Sequence, residues 1–100
     1  MSNNFSEIIK SEKPTLVDFY TNWCNPCRMM TPIINELENE LVDNINVLKV
    51  DVESNRETAA KYNVRGVPTF ILFKEGEIVW RQSGAMAKDL IKNKLNEFIQ

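Results

Sequence analysis

The run Thr15-Leu16-Val17-Asp18-Phe19-Tyr20-Thr21 is rich in strand-forming side chains and apolar on both alternating faces, interrupted by one carboxylate. A strand wet on one side alternates apolar and polar residues, whereas a strand covered on both sides reads as a near-continuous apolar run. The segment is therefore predicted to be a central strand with structure packed above and below it, which requires a layered α/β arrangement. The chain suits one such unit. At 100 residues, with 43% hydrophobic and 26% charged side chains, it matches a single globular domain over residues 1–100.

The flanking patterns supply the layers. Asn4 and Glu7 stand at capping-box spacing, and Phe5, Ile8 and Ile9 share a helical face, predicting a short helix to about Ser11 that Pro14 stops. After the strand, Met30, Ile33, Ile34, Leu37 and Leu41 recur at helical spacing. They predict a long helix that starts near Pro26, where a first-turn proline is tolerated, and is kinked at Pro32. Residues 45–51 read as a second strand. Ser54 and Glu57 form a second capping box, opening a short helix through Tyr62, and residues 69–73 read as a third strand. Lys74-Glu75-Gly76-Glu77 turns into a hairpin partner over residues 78–82, with Trp80 packed under it, and Ala87, Ile91, Leu95 and Phe98 mark a closing helix. In this order the strand-helix-strand unit gives parallel neighbours and the hairpin antiparallel ones. The expectation is a mixed sheet with helices on both faces.

That topology sets Asn22-Trp23-Cys24-Asn25-Pro26-Cys27-Arg28 where the first strand ends and the long helix begins. Cys24 and Cys27 are the only cysteines, and a bridge between them closes too short a loop to stabilise much. The chain has no histidine, which excludes a Cys-His nucleophile pair and would force a four-ligand zinc site to recruit carboxylates. A helix N-terminus, by contrast, favours a thiolate, the species that attacks disulfides. Cys24, just ahead of the helix, is expected to be the more exposed and more acidic thiol. Cys27 is close enough to displace product from a mixed disulfide at Cys24. A buried structural pair, half of a metal site, or a cluster shared between two chains would share the C-x-x-C spacing. The tryptophan before it, the proline within it, the buried strand upstream and the helix downstream favour redox chemistry.

Asp18 interrupts the apolar run. Desolvation disfavours its charge and lets it hold a proton near neutral pH; a surface aspartate at a strand end is the other reading.

Val17-Asp18-Phe19-Tyr20, Trp23-Cys24-Asn25-Pro26-Cys27-Arg28, Pro32, Arg65-Gly66-Val67-Pro68-Thr69 and Phe73-Lys74-Glu75-Gly76 resemble thioredoxin-family motifs in order and spacing, from about Phe5 to the C-terminus. The resemblance implies a thioredoxin fold in which Cys24 is nucleophile and Cys27 resolves, with Asp18 behind them as base for Cys27 through water. It suggests that Lys49 pairs with Asp18, although an edge lysine snorkelling to water fits the sequence too. It also implies a cis peptide bond before Pro68, a Val67 backbone able to pair with an extended substrate, and a shallow docking surface from Trp23, Pro26, Val67, Gly84 and Ala85. Trp23 could instead be core. Met29 could belong to an adaptable surface, whereas Met30, at helical spacing, reads as core.

Three departures matter. Asn25 stands where the family usually has glycine, which bears on redox strength, and Ser83 occupies a usually apolar docking position. MSNN is too short and polar for the family's N-terminal strand. Four strands flanked by four helices are therefore expected, with the 45–51 strand at an edge that charges or a bulge must protect.

The function implied is a protein-disulfide reductant and electron carrier, re-reduced by a flavin-dependent thioredoxin reductase drawing on NADPH. Its targets would be enzymes, such as peroxidases and reductases, that end a turnover with a disulfide. No phosphate loop or dinucleotide fingerprint is present, so no bound cofactor and no metal are expected. Scattered basic residues and a net charge of -2 argue against nucleic acid and anionic membrane as partners. The opening MSNNFSEIIKSEKP lacks a basic segment leading into an apolar one, so a cytoplasmic location is expected; a monomer is expected as well. A thiol oxidant or isomerase and a non-catalytic scaffold subunit are the alternatives.

Overall fold

The computed structural model describes residues 3–99. Its elements run α1 (Asn3–Ile8), β1 (Thr15–Tyr20), α2 (Asn25–Glu40), β2 (Asn46–Asp51), α3 (Arg56–Lys61), β3 (Thr69–Lys74), β4 (Glu77–Ser83) and α4 (Lys88–Asn96), in the predicted order. β1 takes the place its apolar run demands: it pairs parallel with β2 through the α2 crossover and antiparallel with β3, giving the sheet order β2-β1-β3-β4.

Alternation along β1 and β3 divides the core into two layers. Leu16, Phe70 and Leu72 point to the face covered by α2 and α4, against Met30, Ile34, Leu37, Ile91 and Leu95. Val17, Phe19, Ile71 and Phe73 point the other way, against Phe5, Ile9 and Val50, with Tyr62 and Val64 packed alongside. On that second face Phe5, Tyr62 and Phe73 form an aromatic cluster with ring centroids 5.1 to 6.2 Å apart. Lys92 and Lys88 of α4 both reach Glu40 at the end of α2, tying the two helices together at the surface.

β2 lies at one edge, as expected, carrying Lys49 and Asp51. At the other edge β4 has a bulge: Leu72 pairs with Trp80 but Phe73 with Ile78, leaving Val79 unmatched. The extra residue lets Val79 and Trp80, adjacent in sequence, both pack against the α2–α4 core. Charges at an edge and a bulge are standard protection against strand addition.

Both capping boxes fail. α1 already includes Asn3, so Asn4 lies inside the helix, which ends at Ile8 rather than near Ser11. α3 begins at Arg56 with Asn55 as its cap, and the Asn55 amide donates back to the Asp51 carbonyl (2.9 Å) instead of capping it. α4 ends at Asn96; Phe98 lies beyond it and still packs against the core. Pro32 sits inside α2 as read.

The β3–β4 turn has Glu75 at φ 53° and Gly76 at φ 83°, the paired left-handed residues of a two-residue hairpin between Lys74 and Glu77. Its N–H groups donate to the Ser11 and Ile9 carbonyls (3.0 and 2.8 Å), fastening the tip to the end of the first helical segment. A Cβ at Gly76 would meet only Lys10 Cγ at 3.7 Å, an ordinary contact. Gly76→Ala is therefore expected to destabilise by about 1 kcal/mol through backbone conformation alone, and Gly76→Asn by less. Urea unfolding midpoints in the order Gly, Asn, Ala check this; equal losses for Asn and Ala would point to sterics instead.

Candidate active site

β1 ends at Tyr20 and the chain turns through Thr21, Asn22 and Trp23, with the Cys24 N–H reaching the Thr21 carbonyl at 3.4 Å. Cys24 is the N-cap of α2. Its extended backbone (φ -86°, ψ 112°) lets Sγ accept the Cys27 N–H at 3.2 Å, and Pro26, which needs no helical donor, occupies the first turn. Sulfur thus takes the place of the oxygen that usually satisfies an unpaired helix N–H. Negative charge on Cys24 gains from both that hydrogen bond and the helix dipole.

Cys24 and Cys27 form a disulfide, their Cα atoms 5.2 Å apart. In this form Cys24 is 4% exposed and Cys27 6%. The expectation that Cys24 is the more exposed of the two does not hold for the bridged state, because the bond draws both sulfurs against the start of the helix.

Asp18 lies on the face of β1 turned toward α2. It is buried, Oδ1 has no hydrogen-bond partner within the protein, and burial pushes its pKa from 3.8 up to about 6, against a smaller opposing pull from the Lys49 charge. The surface reading of Asp18 is thereby excluded. Lys49 stands opposite Asp18 in the β1–β2 register, yet its exposed amine donates to Asn35 Oδ1 at 2.7 Å. No ion pair within 4.0 Å joins it to Asp18 among the described residues. The suggested Asp18–Lys49 pair is corrected accordingly: the edge position lets the amine stay in water and act on the carboxylate only at longer range. Asp18, Cys27, Lys49, Thr21 and Thr31 border one cleft of about 280 Å³ behind the disulfide.

Around the front, the Val67–Pro68 bond is cis and Pro68 is buried. Its carbonyl accepts the N–H of Gly84 (2.8 Å), itself at φ 94°, which brings Gly84 and exposed Ala85 beside the Val67–Pro68 segment. Trp23 is 66% exposed, so the core reading of it fails; it lines a groove of about 230 Å³ together with Val52, Val64, Val67, Arg56 and Arg65. Pro26 and Met29 are exposed, Met30 is buried, and the Ser83 hydroxyl lies 3.1 Å from that of Thr69.

One residue of the cleft escaped the sequence reading. The Thr21 hydroxyl is buried and unpartnered, but a threonine closing an apolar run reads simply as a strand former. Among the described residues no three His, Cys, Asp or Glu side chains gather as metal ligands, and no helix is long and apolar enough to cross a membrane.

The family model described as Thioredoxin matches residues 1–97. Thioredoxin C-2 of Corynebacterium nephridii is 42% identical over 94 residues, covering 94% of this chain and 83% of that protein. The chloroplastic Thioredoxin Y2 of Arabidopsis thaliana is 41% identical over 99 residues, which span 98% of this chain and 59% of the longer plant protein. In three dimensions a mutant thioredoxin from Halobacterium salinarum NRC-1 superimposes with a TM-score of 0.93 at 32% identity, over 100% of this chain and 87% of that one. Agreement of sequence and fold over nearly every residue, with the cysteine pair at disulfide distance, means that the chain belongs to the thioredoxin family of thiol-disulfide oxidoreductases.

Proposed function

We propose that the chain is a protein-disulfide reductant in which Cys24 attacks, Cys27 resolves and Asp18 accepts the resolving proton. The observation that carries this is the helix-capping Cys24 sulfur with a desolvated carboxyl behind its partner. As thiolate, Cys24 attacks a target disulfide, forming a mixed disulfide and releasing one target sulfur. Cys27 loses its proton toward Asp18 and attacks Cys24 Sγ; the Cys24–target bond breaks and the second target sulfur leaves as thiolate. Two cysteines are oxidised to one bridge while one target disulfide is reduced to two thiols. The electrons balance without a bound cofactor.

Docking falls to the surface around the bridge. Val67 lies outside the sheet ladders, so its backbone is available to pair with an extended target segment, while Trp23, Pro26, Gly84 and Ala85 supply apolar contact of low side-chain specificity. An NADPH-dependent thioredoxin reductase is the donor that would restore the dithiol, carrying electrons onward to oxidised enzymes. The cytoplasm, where thiols are kept reduced, is the compartment that suits this cycle.

Cys27→Ser tests the assignment. Without a resolving thiol, the variant should accumulate mixed disulfides through Cys24 that are visible on non-reducing gels of a cell extract and vanish with added thiol. An extract that yields none, from a folded variant, would refute the assigned roles.

A further inference from the structure

Two buried side-chain atoms among the described residues lack a hydrogen-bond partner in the protein: Asp18 Oδ1 and Thr21 Oγ1. An unpaired buried polar atom costs about 1–3 kcal/mol, so each calls for a partner from solvent. Both residues line the same cleft of about 280 Å³ behind Cys27. A water needs about 30 Å³ and two to four polar partners; the cleft has the room, and Asp18, Thr21 and Cys27 all line it. Three other polar side chains at its rim are engaged elsewhere, which leaves the Tyr20 hydroxyl as the other candidate anchor. The Thr31 hydroxyl donates to the Cys27 carbonyl (3.2 Å), the Lys49 amine to Asn35 (2.7 Å) and the Arg28 guanidinium to the Asn22 carbonyl (2.7 Å).

The structure assigns Thr21 as a positioning residue for the proton transfer: its hydroxyl anchors the water through which Cys27 passes its proton to Asp18. This deepens the general-base reading of Asp18 and rests on it. A hydroxyl both donates and accepts, so Thr21 can hold the water whether the carboxyl is charged or protonated; an amine only donates. In the resolving step the Cys27 S–H bond breaks and its proton goes to the water, which gives one of its own to the Asp18 carboxylate. The Cys27 thiolate then forms the bond to Cys24 Sγ, and the target sulfur departs with the electron pair. The titratable or charged groups facing this path are Lys49 from β2, Cys27 and Arg28 from α2 and Tyr20 from β1, while β3 presents Phe70 beside Asp18.

Thr21 also borders the groove under Trp23, so the test must separate docking from proton transfer. Reduced protein mixed with dithiobis(nitrobenzoate) in a stopped-flow instrument releases one coloured thiolate in the bimolecular attack by Cys24 and a second in the unimolecular attack by Cys27. Thr21→Val keeps the shape and removes the hydroxyl. It should slow the second release about 5- to 10-fold at pH 7, the worth of one hydrogen bond, and move its pH midpoint upward. The first release should be unchanged, and Thr21→Ser should restore the second. A wild-type second step and midpoint in Thr21→Val, with Asp18→Asn slow, would overturn the role of Thr21 and leave the base intact. Wild-type behaviour in Asp18→Asn as well would overturn both. Equal slowing of both releases in Thr21→Val would place the hydroxyl in docking and overturn the assignment to proton transfer.

Discussion

Cys24→Ser is expected to lower the rate of protein-disulfide reduction by at least about 10³-fold, because a serine hydroxyl is not ionised near pH 7 and is a poor nucleophile toward sulfur. The substitution is unusually clean. Cys24 is the N-cap of α2, its side chain accepting the Cys27 N–H, and serine is among the preferred residues for that duty. The helix therefore keeps its cap while the chemistry loses its attacking group. Compared with the reduced wild type, so that neither carries a bridge, the variant should show unchanged far-ultraviolet dichroism and a similar melting temperature. Turbidity of insulin in the presence of a dithiol reports the activity. A rate near wild type would remove the main support for the reductant and favour a scaffold role.

Asp18→Asn should make the oxidised protein more stable at neutral pH while weakening it as a reductant. The Asp18 carboxyl titrates at about 6 when folded against 3.8 without its surroundings, raised by burial. Between these values the folded state holds a proton that the unfolded state has released. Stability consequently falls as pH rises from about 4 to about 6, and above that the full deficit persists. The gap corresponds to about 3 kcal/mol. Removing the charge should recover about 2–3 kcal/mol at pH 8 and almost nothing at pH 3.5, where the carboxyl is protonated when folded and mostly protonated when unfolded, less at both pH values whatever the buried amide costs. Urea unfolding at the two pH values decides the matter, since an equal gain at both would mean that packing, not titration, is responsible. Loss of the base should slow resolution about 10²-fold near pH 7.

What the sequence made legible follows from how local each signal is. The two-sided apolar run of β1 needs no partner to be recognised as central, and the cysteine pair, proline and helix periodicity lie within one short segment. Asp18 was readable for the same reason: the apolar run around it marks the strand as covered on both faces, so a carboxylate within that run is desolvated. The edge position of β2 and the cis bond before Pro68 came only from family likeness, because nothing nearby in sequence encodes them. The failures have physical causes. Ser54 and Glu57 have capping-box spacing, yet Asn55 supplies the cap position and spends its amide on the Asp51 carbonyl. Family likeness matches Lys49 to Asp18, but its amine bonds Asn35, which lies on a helix 14 residues upstream. The bulge at Val79 is likewise a property of two strands together. Thr21 gave no signal because an orphaned hydroxyl is defined by what surrounds it in space.

The capping sulfur has a consequence for traffic through the molecule. Because Cys24 already holds the first turn of α2 while bridged, opening the bridge requires little beyond parting two sulfurs on a fixed frame. Under the proposed mechanism every partner reacts at Cys24, beside the groove that Trp23 and Val67 line together. Electron donor and electron acceptor must then use one doorway in turn, in competition, and the direction of flow is set by their relative abundance and potentials rather than by a gate in the protein.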